Sequence, residues 1–295
     1  MVICAASCSV IPSWMGVPRQ IPLSEQGLMP PITRLNDTSS VMLLTDKGLE
    51  PFQASSQAII TNDLVLTVAH ALPEYRGLRQ TSHLSLPDGE VLRYVTLASG
   101  VFEGESIVPD INPVSPETDD DYLRQVKIIH GKMVEQIKNI RTSEAIDNDW
   151  VLLRLSDAPR IIASPFEVEL EPVLPGTRVS VFHVSQDGKS VSRLDTVVVE
   201  VISENPNFTL PSSGYIALWN PRRVETNGWS GGFVGRQDES GRWRLIGVLS
   251  SSSIENRLIF VTRPPVEILE WFAGGGIGEL PISASESPRT HAGGS

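Results

Sequence analysis

Leu64-Val65-Leu66-Thr67-Val68-Ala69-His70-Ala71 is a short apolar run, rich in β-branched residues, whose apolar character stops at a histidine. Such a run reads as a buried strand that delivers His70 to its rim. A general base belongs at a rim of this kind, anchored by the strand yet open to a substrate.

Working outward, similar runs recur along most of the chain. Ser40-Val41-Met42-Leu43-Leu44-Thr45, Gln57 to Ala69 and Leu84 to Leu97 are β-rich, and Asp46-Lys47-Gly48 and Pro87-Asp88-Gly89 are turn tripeptides that make hairpins of them. Gln125 to His130 and Asp149 to Leu155 continue the pattern, with one or two helical turns expected between Lys132 and Asn139. Thr177 to Phe182, Leu194 to Ile202, Gly214 to Trp219, Phe233 to Gly235, Arg244 to Leu249 and Leu258 to Val261 follow, separated by glycine or proline. One helix stands out, after Pro264-Pro265, where proline suits a first turn; it carries Val266, Ile268, Leu269, Trp271 and Phe272. A strand-dense chain with a closing helix points to two small antiparallel barrels or sandwiches.

Outside this region, 1–39 reads as an extended arm, rich in proline and serine, and 274–295 as a disordered glycine- and serine-rich tail. Met1 to Ser9 reads either as the end of a secretory signal, with Ala5-Ala6-Ser7-Cys8 resembling a lipoprotein cleavage site, or as an ordinary terminus. A secreted or periplasmic location is favoured. Val101 to Asp121 is acidic and proline-punctuated. It reads as a solvated loop without the ligand spacing of a calcium site.

Composition excludes several function classes. With 295 residues, 40% of them hydrophobic, the chain can bury a sizeable core. Twenty-four Lys plus Arg against 35 Asp plus Glu, a formal charge of -11, supply no footprint for nucleic acid. No apolar run approaches the roughly 20 residues of a membrane-spanning helix. Cys4 and Cys8, close together near the start, leave the rest of the chain without thiolate metal sites or disulfides, and neither metal nor cofactor is expected. Gly274-Gly275-Gly276-Ile277-Gly278 follows a helix and has no lysine beside a hydroxyl residue, so it is not a nucleotide loop.

Two further signals accompany His70. Asp149 immediately precedes Trp150-Val151-Leu152-Leu153, an apolar run expected to be buried on both faces, where an anion needs a partner. Gly228-Trp229-Ser230-Gly231-Gly232 sets a serine among glycines, whose freedom lets backbone N–H groups converge on an oxyanion beside an exposed hydroxyl.

In this order the residues resemble the chymotrypsin-like (trypsin-like) serine proteases, across roughly Ser40 to Phe272. Thr67-Val68-Ala69-His70 is similar to that family's histidine segment, and Val126 to His130 followed by Asp149-Trp150-Val151 to its aspartate segment. Gly228 to Gly232 is similar to its nucleophile loop, and Leu245 to Ser250 to the strand that pairs with substrate; Phe260-Val261-Thr262 leads to its closing helix. The resemblance implies an all-β fold of two six-stranded antiparallel barrels with a C-terminal helix. The first barrel, over 40–165, would carry His70 and Asp149; the second, over 166–273, would carry Ser230. It implies a serine endopeptidase with His70, Asp149 and Ser230 as triad and the N–H groups of Gly228 and Ser230 as oxyanion hole, acting on polypeptide through an acyl-enzyme. The floor of its primary pocket would be Val224 and the walls Ser250, Ser251 and Ser252. These favour small or medium uncharged side chains, unless Arg222 or Arg223 reaches in to accept an acid.

The departures are as specific. Ala71 replaces a usual cysteine, and Trp229 stands where zymogen-type members carry aspartate, so activation by N-terminal insertion is not expected. The interval from His70 to Asp149 is long for the family, and the excess is assigned to Val101 to Asp121 and Gly131 to Ile146. Asp147 competes with Asp149, and His130 with His70; position beside the apolar strands favours Asp149 and His70. Two alternatives stay open: a catalytically silent protease fold used for binding, and a hydrolase of small esters.

Overall fold

The computed structural model describes residues 11–21, 29–37, 42–45, 48–51, 55–72, 83–86, 89–100, 149–157, 166–185, 188–200, 215–254 and 257–281. Cys4, Cys8, the acidic stretch 101–121, the strand expected over 125–130, the helical turns over 132–139, His130, Asp147 and most of the tail lie outside these residues.

In chain order the elements are β1 (Pro18–Gln20), β2 (Ile32–Asp37), β3 (Met42–Thr45), β4 (Gly48–Pro51), β5 (Ser55–Thr61), β6 (Leu64–Thr67), β7 (His83–Ser85), β8 (Val91–Ser99), β9 (Val151–Leu155), β10 (Glu167–Val168), β11 (Arg178–Val184), β12 (Val191–Val199), β13 (Tyr215–Trp219), β14 (Phe233–Gln237), β15 (Trp243–Ser253), β16 (Leu258–Thr262) and helix α1 (Val266–Ala273). Six strands close a first barrel in the order β2-β5-β6-β9-β8-β7. The second is the ring β12-β11-β14-β15-β16-β13, its β12–β13 seam made, among the described residues, by Val198↔Leu218 and Val199↔Ala217. The expected double barrel with a closing helix is the fold found. Among the described residues no helix is long and apolar enough to cross a membrane.

Why the run around His70 is apolar throughout, and not alternating, follows from where its faces go. Ala58 and Ile60 of β5, Val65 of β6, and Val151 and Leu153 of β9 fill the first barrel. The intervening Ile59, Leu64, Leu66 and Leu152 point the other way, against Phe182, Phe233 and Trp243 of the second barrel and against Leu269 and Phe272 of α1. A strand buried on both faces has no solvent side to make polar. The aromatic residues of this seam meet edge to face, Phe182 and Trp243 at a centroid distance of 4.7 Å. Each buried side chain of this size contributes about 1.5–3 kcal/mol of transfer free energy, so the seam holds the barrels together.

Two boundaries differ from the sequence reading. The β-rich run 57–69 is a tight hairpin, β5 and β6, turning at Asn62-Asp63, with Asn62 at φ +53°; asparagine is among the few side chains that tolerate that region. Regular structure also begins earlier than Ser40. Residues 32–37, within the stretch expected to be an arm, form β2 of the first barrel, and Pro18–Gln20 adds to the edge of β12. Thr33 and Arg34 are buried in β2, a polar pair whose burial only the neighbouring elements explain.

Candidate active site

β6 ends at Thr67, and Ala69–Ala71 then makes a single 3₁₀ turn that lifts His70 to the barrel rim. Ala69 and Ala71 are buried beneath it, while the His70 side chain is 30% exposed. β6 and β9 pair antiparallel, Leu66 with Leu152 and Thr67 with Val151. The end of one strand therefore lies beside the start of the other, which brings Asp149 to His70 across 79 residues of chain.

Asp149 is 4% exposed, and three donors address its carboxylate. The His70 backbone N–H donates to Oδ1 at 3.0 Å, His70 Nδ1 bonds Oδ2 at 2.6 Å, and the Ser250 hydroxyl donates to Oδ2 at 2.5 Å. Burial of an anion at this cost requires such partners. An imidazole that donates from Nδ1 to a carboxylate carries its lone pair on Nε2, the nitrogen that can accept a proton.

Ser230 comes from the second barrel. Its turn requires two left-handed positions, Gly228 at φ +78° and Gly231 at φ +82°. At Gly231 a Cβ would run into the Gln57 carbonyl and come within 2.5 Å of Thr67 Oγ1, so glycine is also a steric necessity there. Ser230 Oγ donates to the Ser250 carbonyl at 3.2 Å. Ser250 thus touches both halves of the site, its carbonyl on the serine and its hydroxyl on the aspartate.

The backbone of the turn is pinned selectively. Trp229 N–H donates to Thr226, Gly231 N–H to Leu249 and Gly232 N–H to Trp229. Among the described residues, no backbone acceptor meets the N–H of Gly228 or of Ser230. Trp229 itself is buried and lies flat on the ring of His183, centroids 4.7 Å apart and planes 11° from parallel. Burial, and secondarily the charge of Arg34, push the His183 imidazole down to about 4, so it is neutral near pH 7.

The expected pocket residues flank the same turn. Val224 is half-buried against the second barrel's core, and Asn220 holds it by two side-chain bonds, to its N–H and its carbonyl, each 2.9 Å. The Thr226 hydroxyl donates to the Ser252 hydroxyl at 2.7 Å and so ties the segment after Val224 to the half-buried Ser251-Ser252 wall. Arg222 and Arg223 are both exposed, and Arg222 Nε donates to the Met15 carbonyl of the N-terminal segment at 3.1 Å. Among the described residues no group of three or more His, Cys, Asp or Glu could hold a metal ion.

Sequence reasoning placed Ser250 in the pocket wall and missed its bond to Asp149. It missed Gln57 altogether, a fully buried residue of β5 that bonds the Gly228 carbonyl at 2.9 Å. A serine closing an apolar strand was the one visible signal for the first, and nothing local marks the second.

No profile of a known protein family matches the sequence, and no curated protein does. Among solved structures, proteases are similar to it at low identity. The Rv3671c protease from M. tuberculosis, in its active form, is 13% identical, with 87% of this chain and 85% of that chain covered at a TM-score of 0.46. Tobacco Etch Virus protease is 13% identical, with 85% and 81% covered at 0.47. The Vibrio cholerae VesB protease is 14% identical, with 84% and 64% covered at 0.45. The chain's own strands form two six-stranded antiparallel barrels with a closing C-terminal helix.

Proposed function

We propose that this double barrel is a serine endopeptidase that uses Ser230 as nucleophile, His70 as general base and Asp149 as the carboxylate that orients the base. One observation carries the reading: a buried Asp149 bonded to His70 Nδ1 at 2.6 Å and linked through both ends of Ser250 to the hydroxyl of Ser230. Nothing in a purely structural ion pair requires a serine hydroxyl in a glycine turn at its edge.

In this mechanism Ser230 rotates about χ1 from the Ser250 carbonyl towards Nε2 of His70. Its proton passes to the imidazole as Oγ attacks the substrate carbonyl carbon, and Asp149 stabilises the imidazolium. The N–H groups of Gly228 and Ser230 take the oxyanion. The imidazolium then protonates the leaving amine, and water repeats the sequence on the acyl-enzyme. Trp229 packs where a zymogen would carry an aspartate, so the turn has no carboxylate there to pair with an inserted N-terminal ammonium.

The substrate side chain next to the cleaved bond enters between Val224 and the Ser250–Ser252 wall. An unpaired ammonium or guanidinium there costs several kcal/mol, so small or medium uncharged residues are preferred over lysine and arginine. Arg222 is engaged by the Met15 carbonyl, so the acidic alternative falls to the exposed Arg223, and dominant cleavage after glutamate or aspartate would favour it.

Fluorophosphonate labelling of purified protein tests the reading. The wild type is labelled and Ser230→Ala is not; absence of labelling in a folded wild type moves the protein to the binding-module class. Cleavage of small esters without cleavage of unfolded protein or peptides makes it an esterase, and dominant cleavage after lysine or arginine in a peptide library overturns the pocket.

A further inference from the structure

Gln57 has no exposed surface, and its carboxamide makes three hydrogen bonds to segments far along the chain. Nε2 donates to the Gly228 carbonyl at 2.9 Å and to the Val184 carbonyl at 3.2 Å, while Oε1 accepts from the Val184 N–H at 2.9 Å. Both amide protons and the carbonyl oxygen are thereby used. The backbone of the same residue adds two bonds: its N–H donates to the Ser230 carbonyl at 2.6 Å, and its carbonyl accepts from Thr67 Oγ1 at 2.7 Å. A single residue of the first barrel thus grips β11 and both Gly228 and Ser230 of the second.

The consequence lies in which peptide planes this fixes. The Gly228–Trp229 peptide is held at both ends, its carbonyl by Gln57 and its N–H by Thr226. The Ser230–Gly231 peptide is likewise held, its carbonyl by the Gln57 backbone N–H, which side-chain variants keep, and its N–H by Leu249. A peptide pinned at both ends cannot rotate about its flanking bonds, and these two planes flank the Trp229–Ser230 peptide that carries the Ser230 N–H. The first also fixes the residue that carries the Gly228 N–H. Those are the two N–H groups without a backbone acceptor among the described residues. A glutamine suits the task because one planar group supplies two donors and an acceptor. A carboxylate would face two carbonyl oxygens, and an apolar side chain would leave buried peptide groups unpaired, at a cost comparable to a lost hydrogen bond each.

We infer that Gln57 is a positioning residue that sets the direction of the Gly228 and Ser230 N–H groups for the oxyanion, an inference that rests on the serine endopeptidase reading above. It touches no reacting atom. The Trp229–His183 stack also packs against this turn, adding a ring contact to the hydrogen bonds of Gln57.

The test compares wild type, Gln57→Met, Gln57→Glu, Gln57→Asn and Ser230→Ala as full-length proteins. Met keeps the volume without donors, Glu keeps the shape without an N–H, and Asn keeps the chemistry without the reach. Each variant that shows native circular dichroism and cooperative unfolding is measured for fluorophosphonate labelling rate, kcat and KM on a peptide substrate, and affinity for a peptide aldehyde whose hemiacetal oxygen occupies the oxyanion position. The expected result is a fall of about 30- to 300-fold in kcat, labelling rate and aldehyde affinity together, with KM within about threefold; this is less than the roughly 100- to 1000-fold of an outright donor loss, because the N–H groups stay and only their direction is released. Folded variants within threefold of wild type, or a loss confined to KM, overturn the inference. So does failure of all three variants to fold, which assigns Gln57 to joining the barrels alone. A wild type that resists labelling removes the endopeptidase reading and this inference with it, a result distinct from a labelled wild type with equally labelled variants.

Discussion

Replacing Ser250 by alanine removes one of the three donors that address the Asp149 carboxylate while leaving the backbone carbonyl that accepts from Ser230 in place. The bond is short, 2.5 Å, and its acceptor is buried, so it belongs to the charge-assisted class, worth about 1.5–3 kcal/mol. Oδ2 keeps its bond to His70 Nδ1 at 2.6 Å, and Oδ1 keeps the His70 backbone N–H at 3.0 Å. The carboxylate therefore stays in place but is less well solvated by the protein, and it turns more easily away from the ring. Taking about 1.5–2.5 kcal/mol as the share felt at the transition state gives a fall of roughly 10- to 70-fold in kcat. KM should move less than about threefold, because only one methylene-bound hydroxyl leaves the pocket wall. The assay is steady-state cleavage of a fluorogenic peptide, with enzyme concentration fixed by active-site titration. Ser250→Ala combined with Asp149→Asn should lose little beyond Asp149→Asn alone, since the hydroxyl acts through the carboxylate. A rise in KM at unchanged kcat would show that Ser250 is a pocket wall and nothing more, and full additivity in the double variant would refute the coupling.

Ser230→Ala and His70→Ala should each abolish turnover with the fold retained, and the double variant should be no worse than either, because the two act as one nucleophilic unit; a much larger loss in the double variant contradicts that. His183 contributes stability that depends on pH. Its imidazole is held down to about 4 by burial and by Arg34, whereas in the unfolded chain it takes up a proton near 6.5. The unfolded state binds the extra proton between those values, so stability falls as pH drops from about 6.5 towards 4. His183→Phe, which keeps a ring on Trp229, should flatten this part of the profile in urea titrations at pH 7 and 4.5, and an unchanged slope would count against the assignment. Gly231→Ala should destabilise by several kcal/mol, since a left-handed position and a collision with the Gln57 carbonyl coincide there; a urea midpoint equal to wild type would show that the turn can move.

Much of this site is written in short stretches. His70 follows an apolar strand, Asp149 precedes one, and Ser230 lies between glycines that the backbone needs at φ +78° and +82°. Each is a local constraint of periodicity or backbone freedom, and a local constraint survives in the sequence. The helix after Pro264-Pro265 is legible for the same reason, with Ile268, Leu269 and Phe272 on its buried face. β2 was not legible. Its Thr33 and Arg34, on opposite faces, are both buried by the elements around them, and a strand with buried polar residues has no apolar alternation to announce it.

By itself, then, the chain determined the strand-rich class, the order of His70, Asp149 and Ser230 and the turns that carry them, because these depend on neighbours within a few residues. Tertiary structure decided what surrounds them. Ser250 reaches Asp149 across 101 residues, and Gln57 reaches Gly228 across 171 and Val184 across 127. Hydrogen bonds of that span exist only once two barrels have closed and docked along the Phe182, Phe233 and Trp243 seam. A buried glutamine bonded to a distant carbonyl carries the same letter in the sequence as one facing water.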